Sequence, residues 1–170
     1  MTQEEFRSFY NENVEKVFRF LFLRTNSFEI AQDLTADSFF KFWLSQEKDK
    51  NIKSPRAFLF QIARNNLIDF YRQKKQKIVV SLDDLKEKGF EISQEDFLKQ
   101  QEEDYDLKVI LESLKEIKPI YNEVIFYHYI ENLSIKEIAF ILKKKENNVR
   151  VLLHRALNAL KEKIASKEKL

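Results

Sequence analysis

SPRAFLFQIARNNLIDFYRQKK, residues 54–75, is the stretch that decides the fold. Ser54 followed by Pro55 is a strong helix start, because a serine hydroxyl can cap free amides and proline is pre-organised for the first helical turn. Apolar residues then recur at helical spacing from Ala57 to Tyr71, and the stretch ends in a run of arginine and lysine. We therefore predict a helix with one apolar face and a basic end.

The composition of the whole chain favours helices as well. The 170 residues are 44% hydrophobic, enough to bury a core, but they include only one glycine and two prolines. Sandwiches and barrels depend on glycine- and proline-rich turns, and phosphate-binding loops need several glycines. We therefore expect an all-α protein without a glycine-rich nucleotide loop.

Charge is strongly segregated, although the net charge is only +2. Residues 51–80 carry 7 basic and 1 acidic residues, and residues 133–170 carry 10 and 4, whereas residues 81–106 carry 3 and 10. Two basic blocks around an acidic one indicate two polyanion-binding surfaces joined by a segment that avoids polyanions. The alternative is that these blocks are only solvated helix faces.

Apolar periodicity divides the first part of the chain into helices. A capping box at Thr2–Glu5 predicts the first helix start, and a break at Arg24–Asn26 its end. The next helix is predicted to run to about Ser45, followed by a polar loop at Gln46–Lys53. Residues 78–105 lose the periodicity and are predicted to be an acidic, flexible linker.

The last part of the chain has the pattern of a helix-turn-helix. A capping box at Ser134–Glu137 starts a short helix that ends near Lys143–Lys145, and a longer basic helix is predicted over about Glu146–Lys161. With the first part, this gives two small helical domains joined by the linker.

Catalysis, cofactors and metals are not expected. The only histidines, His128 and His154, fall in different predicted helices without a paired carboxylate motif, and cysteine is absent. An active site needs convergent acid, base or metal groups. The chain also lacks a run of about eighteen apolar residues or a signal-peptide pattern, so we expect a cytoplasmic protein without membrane insertion.

Three stretches together resemble the extracytoplasmic-function (ECF) sigma factors of bacterial RNA polymerase, of the sigma-70 family. They are AQDLTADSFFKFW at residues 31–43, the quoted stretch over residues 54–72, and NLSIKEIA at residues 132–139 with Val149 and His154-Arg155-Ala156 after it. The resemblance implies sigma region 2 over residues 1–77, the acidic linker over 78–105 and sigma region 4 over 106–170. It also implies promoter recognition, DNA melting and transcription initiation.

The resemblance implies the partners. Region 2 of the family docks on the clamp helices of the largest polymerase subunit and captures the melted non-template strand of the minus-ten element. Region 4 contacts the flap of the second-largest subunit and the duplex of the minus-thirty-five element. The linker occupies the RNA-exit channel, and an anti-sigma factor or another recruiting partner is expected.

The resemblance also assigns site residues, by their positions in this sequence. The polymerase-binding set is Gln32, Asp33, Asp37 and Lys41. The minus-ten set is Asp49, Lys50, Asn51, Arg56, Arg64, Asn65, Arg72, Lys74 and Lys75. The minus-thirty-five set is Lys143, Lys144, Lys145, Asn147, Asn148, Arg150, Val151, His154 and Arg155. Phe58 and Phe60 are expected to lie in the core rather than to stack on bases.

The turn between the last two helices departs from the family pattern. Lys143, Lys144 and Asn148 stand where the family has a glycine, a small apolar residue and a threonine. A residue with a side chain is costly there if its φ is positive. We therefore predict binding that depends mainly on phosphates, with modest base discrimination by Asn148, Arg150 and His154.

A second function remains open from the residues themselves, namely a stand-alone helix-turn-helix regulator that binds duplex DNA. Such a regulator needs only the last helices. The feature that discriminates the two is the quoted stretch, where cations and aromatic residues share one helix, because holding a melted strand requires both phosphate neutralisation and stacking surfaces.

Overall fold

The computed structural model describes residues 1–48, 52–78 and 105–169. Every regular element within these ranges is a helix, which confirms the all-α prediction. The chain separates into two compact units, residues 1–92 and 93–170. Nearly all of the predicted linker lies outside the described residues. Its first and last residues, Ile78 and Tyr105, belong to helices.

The first unit is built from three helices with local start and stop signals. These helices are α1 (Gln3–Thr25), α2 (Phe28–Lys48) and α3 (Pro55–Ile78). The predicted capping box is present, with the Thr2 amide 2.6 Å from Glu5 Oε2 and the Glu5 amide 3.2 Å from Thr2 Oγ1. Asn26 ends α1 in the left-handed conformation, at a φ of 50°. Short-range side-chain chemistry therefore sets both ends of α1.

One predicted boundary in this unit was wrong. Residues 46–48 were assigned to a loop but complete the last turn of α2. The helix over the quoted stretch was predicted to end in its basic run, and α3 includes this run and ends at Ile78. Its start is as predicted, since the Ala57 amide donates to Ser54 Oγ at 3.4 Å. The basic residues of this run are therefore held on a helix.

Aromatic side chains fill the core of the first unit. Phe20, Phe42 and Phe60 are completely buried. The Phe9 and Phe42 rings stack with centroids 4.8 Å apart, and Phe20 meets Phe60 edge to face at 5.8 Å. Each such ring contributes roughly 1.5–3 kcal/mol by burial, so these contacts hold the three helices together. The prediction that Phe60 is a core residue is confirmed.

Over its described residues, the second unit contains four α-helices and a π-helical turn around a mixed aliphatic and aromatic core, which includes buried Phe126 and Tyr127. These are α4 (Tyr105–Glu116), α5 (Pro119–Ile125), a π-helical turn (Phe126–Ile130), α6 (Ile135–Leu142) and α7 (Glu146–Glu168). Val124, Ile138 and Val149 are completely buried and bring α5, α6 and α7 together. The helix-turn-helix prediction is confirmed, and its second helix extends beyond the predicted Lys161.

The turn between α6 and α7 is closed by backbone hydrogen bonds. Lys143 adopts the left-handed conformation with a φ of 53°. The Lys144 amide donates to the Ala139 carbonyl at 3.0 Å, and the Lys143 amide to the Phe140 carbonyl at 3.3 Å. This is the Schellman arrangement, in which glycine is the favoured residue at the left-handed position. The sequence therefore places a side chain where it is costly.

Replacing Lys143 by glycine is expected to raise the free energy of unfolding of the helix-turn-helix unit by about 0.5–1 kcal/mol, because glycine has no Cβ to clash at positive φ. Chemical denaturation of the full chain followed by circular dichroism measures the change. Lys144→Gly is the matched control, since it removes the neighbouring cation at a position without positive φ. An equal effect of both substitutions would contradict backbone strain as the cause.

Ion pairs join α4 to the end of α7. Lys167 Nζ lies 2.8 Å from Glu116 Oε1 and 3.6 Å from Glu112 Oε2, and Lys163 Nζ lies 3.5 Å from Glu116 Oε2. The hydrogen bond from Lys167 lowers the pKa of Glu116, and the same bond raises the pKa of Lys167. These exposed pairs tie the last turns of α7 to the rest of the unit.

The pH dependence of these ion pairs follows from the two pKa shifts. The lowered pKa of Glu116 means that its contribution is present above the pKa of the unfolded chain and is lost as the pH falls through the folded value. Lys167 contributes below its unfolded pKa, and this is lost as the pH rises through its raised value. We expect Glu116→Gln to weaken the acid dependence of the melting temperature. Glu162→Gln, which removes a carboxylate on α7, is the matched control, and an equal change in both variants would contradict the assignment to Glu116.

Candidate docking and nucleic-acid interfaces

The first candidate surface is a charged face of α2. Gln32, Asp33 and Lys41 are exposed, and Asp37 is half-buried. Asp33 and Asp37 are one turn apart and share a face. Asp37 Oδ2 lies 2.8 Å from Lys41 Nζ, an ion pair within the helix. The structure thus presents two neighbouring carboxylates, one of which already has a cation beside it.

Lys41 is tied to α3 as well as to Asp37. Its Nζ donates to Asn66 Oδ1 at 2.6 Å, and Asn66 Nδ2 donates to Ser38 Oγ at 3.0 Å. Ser38 in turn donates to the Leu34 carbonyl at 2.6 Å. Ser38 and Asn66 are buried, so this chain of hydrogen bonds fixes α3 against α2. Sequence reasoning missed both residues, whose signal was a polar side chain interrupting an apolar stripe.

Exposed apolar side chains extend the charged face. Phe40 is 61% exposed and Leu44 is 40% exposed, and both follow Asp33 and Asp37 at helical spacing. Phe40 also lines an apolar groove between α1 and α2, together with Phe6, Tyr10, Phe39, Trp43 and Gln3. We name Asp33, Asp37, Phe40 and Leu44 the docking face. The two apolar members were not predicted, because only polar residues were assigned to this face from the sequence.

The second candidate surface lies along α3. Arg64 and Asn65 are half-buried, and Arg72 and Lys75 are exposed. Positions 64, 68, 72 and 75 form one row on the helix, and Ile68 within it is 45% exposed. We name Arg64, Ile68, Arg72 and Lys75 the α3 row. Three cations on one line suit a polyanion that runs along the helix.

The other predicted minus-ten residues are placed differently. Arg56 is half-buried and Lys74 is exposed, and helical spacing sets both about a third of a turn from the α3 row. Asp49, Lys50 and Asn51 lie outside the described residues. The structure therefore brings together part of the predicted set.

Local contacts lie around the carboxyl-terminal part of the α3 row. Arg72 Nη2 pairs with Asp69 Oδ1 at 2.9 Å. Tyr71, beside the row, donates its hydroxyl to the Arg24 carbonyl, and burial raises the pKa of this hydroxyl. Arg24 packs over the Phe20 ring at 4.0 Å. Tyr71 therefore anchors α3 to the end of α1.

The third candidate surface is the outer face of α7 with the turn before it. All nine predicted residues are exposed: Lys143, Lys144, Lys145, Asn147, Asn148, Arg150, Val151, His154 and Arg155. The opposite side of the helix is anchored by buried Val149 and Ala156. Cations and amides on an exposed helix are the groups that contact phosphates and base edges.

Several of these polar groups are already engaged. Arg150 donates to Asn147 Oδ1 at 3.0 Å, and its Nη2 lies 3.4 Å from Glu146 Oε2. His154 Nε2 lies 3.3 Å from Asn158 Nδ2, a hydrogen bond in the tautomer whose Nε2 accepts. These bonds orient Arg150 and Asn147 together. Because they are exposed, they can exchange for contacts with a ligand at little cost.

Phe140 was missed on this surface. It is 47% exposed on α6 and lines an open groove with Lys144, Lys145, Asn147 and Arg150, beside Ala139 and Glu146. An aromatic ring therefore borders the basic residues of the helix-turn-helix.

Two further features of the described ranges bear on function. Within them no group of three or more His, Cys, Asp or Glu side chains is arranged to hold a metal ion. Of the helices described there, none is both long enough and apolar enough to cross a membrane.

Comparisons with known proteins agree with the two units. The family model for sigma-70 region 2 matches residues 9–77, and the model for sigma-70, region 4 matches residues 107–160. The first match includes the docking face and the α3 row, and the second includes the helix-turn-helix.

Curated relatives match over nearly the whole chain. The ECF RNA polymerase sigma factor SigM of Bacillus subtilis is 30% identical over 162 residues, covering 95% of this chain and 94% of SigM. The RNA polymerase sigma factor YlaC of the same species is 28% identical over 169 residues, covering 94% and 92%. Among solved structures, the sigma factor RpoE of Bartonella quintana, in complex with the anti-sigma factor NepR, has a TM-score of 0.75 at 20% identity. It covers 95% of this chain and 98% of that one, and shows a similar fold.

Proposed function

The chain belongs to the ECF sigma factors of RNA polymerase, which direct transcription initiation, and from that premise we propose how its surfaces divide the work. The docking face binds core polymerase, the α3 row holds melted DNA, and the outer face of α7 binds the promoter duplex. Residues 1–77, 78–105 and 106–170 are the corresponding region 2, linker and region 4.

Polymerase docking is assigned to α2 by charge and exposure. Asp33 and Asp37 attract a basic partner surface, while Phe40 and Leu44 supply apolar area that water disfavours. Interfaces commonly combine a small apolar centre with a polar rim. Gln32 lies at this rim. Lys41 acts at the edge of this face, where its bond to Asn66 holds α3 against α2.

Strand capture is assigned to α3. The cations of the row neutralise phosphates of the melted strand, and Arg56, Asn65 and Lys74 extend the contact around the helix. Exposed Ile68 and Tyr71 offer apolar and aromatic surface to unpaired bases, whereas Phe60 is buried and cannot. Asp49, Lys50 and Asn51 are proposed for the base pocket on the resemblance alone. Binding energy drives this step, so the chain needs no catalytic residue, cofactor or metal.

Duplex binding is assigned to α7 and the turn before it. Lys143, Lys144 and Lys145 contact phosphates at the groove edge, and the exposed residues of α7 enter the major groove. Sigma factors in general are initiation factors and not enzymes, and we propose the same for this chain. Because such factors act together with polymerase, we place the chain in the cytoplasm. Because the RpoE structure holds an anti-sigma factor, we also propose such a partner for this chain.

The observation that carries the proposal is the α3 row, since a duplex-binding regulator needs no second basic helix in a separate unit. Run-off transcription tests it, with the full chain, purified core polymerase and a genomic promoter library. We expect defined transcripts only when the chain and polymerase are both present, and weak promoter binding by the chain alone. Tight, sequence-specific binding without polymerase, and no transcripts with it, would instead support the stand-alone regulator.

A further inference from the structure

Two apolar side chains stand on the otherwise polar surface of the helix-turn-helix. Val151 is 48% exposed on α7, and Phe140 is 47% exposed on α6. Val151 follows Asn147 by one turn and Arg150 by one residue, and Phe140 borders the groove that contains both. The Asn147–Arg150 pair is therefore close to both apolar side chains.

Val151 lies outside the core of the helix-turn-helix, and Phe140 lies at its edge. The core contacts of the helix-turn-helix are made by Ile138, Ile141 and Val149, which are almost completely buried. A half-exposed valine within a helix also has a lower helix propensity than most alternatives. Both side chains leave apolar area exposed beside Arg150 and Asn147.

The major groove of DNA presents few apolar groups to a protein. Guanine, cytosine and adenine expose polar atoms along this edge, and thymine adds a methyl group at C5, which apolar side chains contact. Arginine pairs with guanine and asparagine with adenine by hydrogen bonds. For an apolar side chain beside Arg150 and Asn147, the complementary group in the major groove is the thymine methyl.

We propose that Val151 and Phe140 determine specificity by contacting thymine methyl groups next to the base read by Arg150. This inference rests on the proposed binding of the promoter duplex by α7. It adds to the base discrimination predicted from Asn148, Arg150 and His154, which alone offers no preference for the thymine methyl.

Deoxyuridine provides a direct test, because uracil lacks only the methyl group and keeps every hydrogen-bonding atom of thymine. Duplexes with a randomised upstream element are selected on the full chain bound to core polymerase. A selected duplex is then resynthesised with deoxyuridine in place of each thymidine, one at a time. For at least one position we expect binding to weaken about fourfold, the effect of one buried methyl group.

Variants then assign the methyl effect to a side chain. Val151→Ser and Phe140→Gln should each abolish the difference between thymine and uracil at one position, while Val151→Ile and Phe140→Leu should keep it. The ratio of the two affinities cancels changes in folding and in polymerase binding. Ile110→Ala, which trims an exposed apolar side chain on α4, should leave every ratio unchanged.

The outcomes separate this inference from the proposed function. If sequences are selected but no thymine is sensitive to uracil, or if the Val151 and Phe140 variants weaken both duplexes equally, methyl reading is wrong and duplex binding stands. If no upstream sequence is selected at all, the assignment of α7 to the promoter duplex fails as well.

Discussion

Replacing Asp33 and Asp37 together by lysine is expected to weaken binding of the chain to core RNA polymerase at least about 30-fold, a loss of roughly 2 kcal/mol. The two carboxylates neighbour each other on the exposed face of α2, and Phe40 and Leu44 continue that face. Reversing both charges turns attraction of a basic partner into repulsion while leaving the apolar area in place. Fluorescence anisotropy with labelled chain and purified core polymerase measures the change.

The control must carry the same change of charge. Glu12→Lys with Glu15→Lys on α1 changes the net charge equally, and both glutamates are exposed. Asp37→Lys also sets a second cation beside Lys41, which destabilises the helix by a few tenths of a kcal/mol, so Asp37→Asn is the milder companion. A similar loss in the α1 control would show that net charge, rather than the docking face, governs the association.

Helix starts were predictable because their signals are local. The Thr2 and Ser134 side chains bond amides three residues ahead, and Ser54 caps α3 in the same way. The end of α2 was harder, because the polar residues after Ser45 favour helices and need no core contact to continue one. The π-helical turn at Phe126–Ile130 was not predicted either. It has no short-range signal of that kind in the sequence.

Exposure of the site residues was easier to predict than their partners. Helical periodicity alone places Asp33, Asp37 and Arg150 on the outer faces of their helices. The bond between Lys41 and Asn66, however, joins residues 25 apart in sequence and exists only because α2 packs on α3. Phe140 was missed for a related reason. In sequence it resembles another core residue of α6, and its exposure depends on where α7 crosses.

Reversing charge at Arg64 and Arg72 is expected to reduce transcription from duplex promoters about tenfold or more, and to reduce it much less on templates with an unpaired minus-ten region. The physical reason is that holding the separated strand supplies free energy for melting, which a pre-melted template does not need. Permanganate footprinting of unpaired thymines measures opening, and run-off transcription on both templates measures its consequence.

The structure supplies checks on this assignment. The Arg72–Asp69 pair is exposed and contributes little to folding, so Arg72→Glu should leave the chain folded. Arg64 is half-buried, and Arg64→Gln removes its charge with less disturbance. On single-stranded DNA, loss of two phosphate contacts should reduce the magnitude of the slope of log K against log salt concentration by about 1.4. Arg7→Glu with Lys16→Glu on α1 is the matched control. If transcription fell equally on both templates, the α3 row would instead serve polymerase binding or folding.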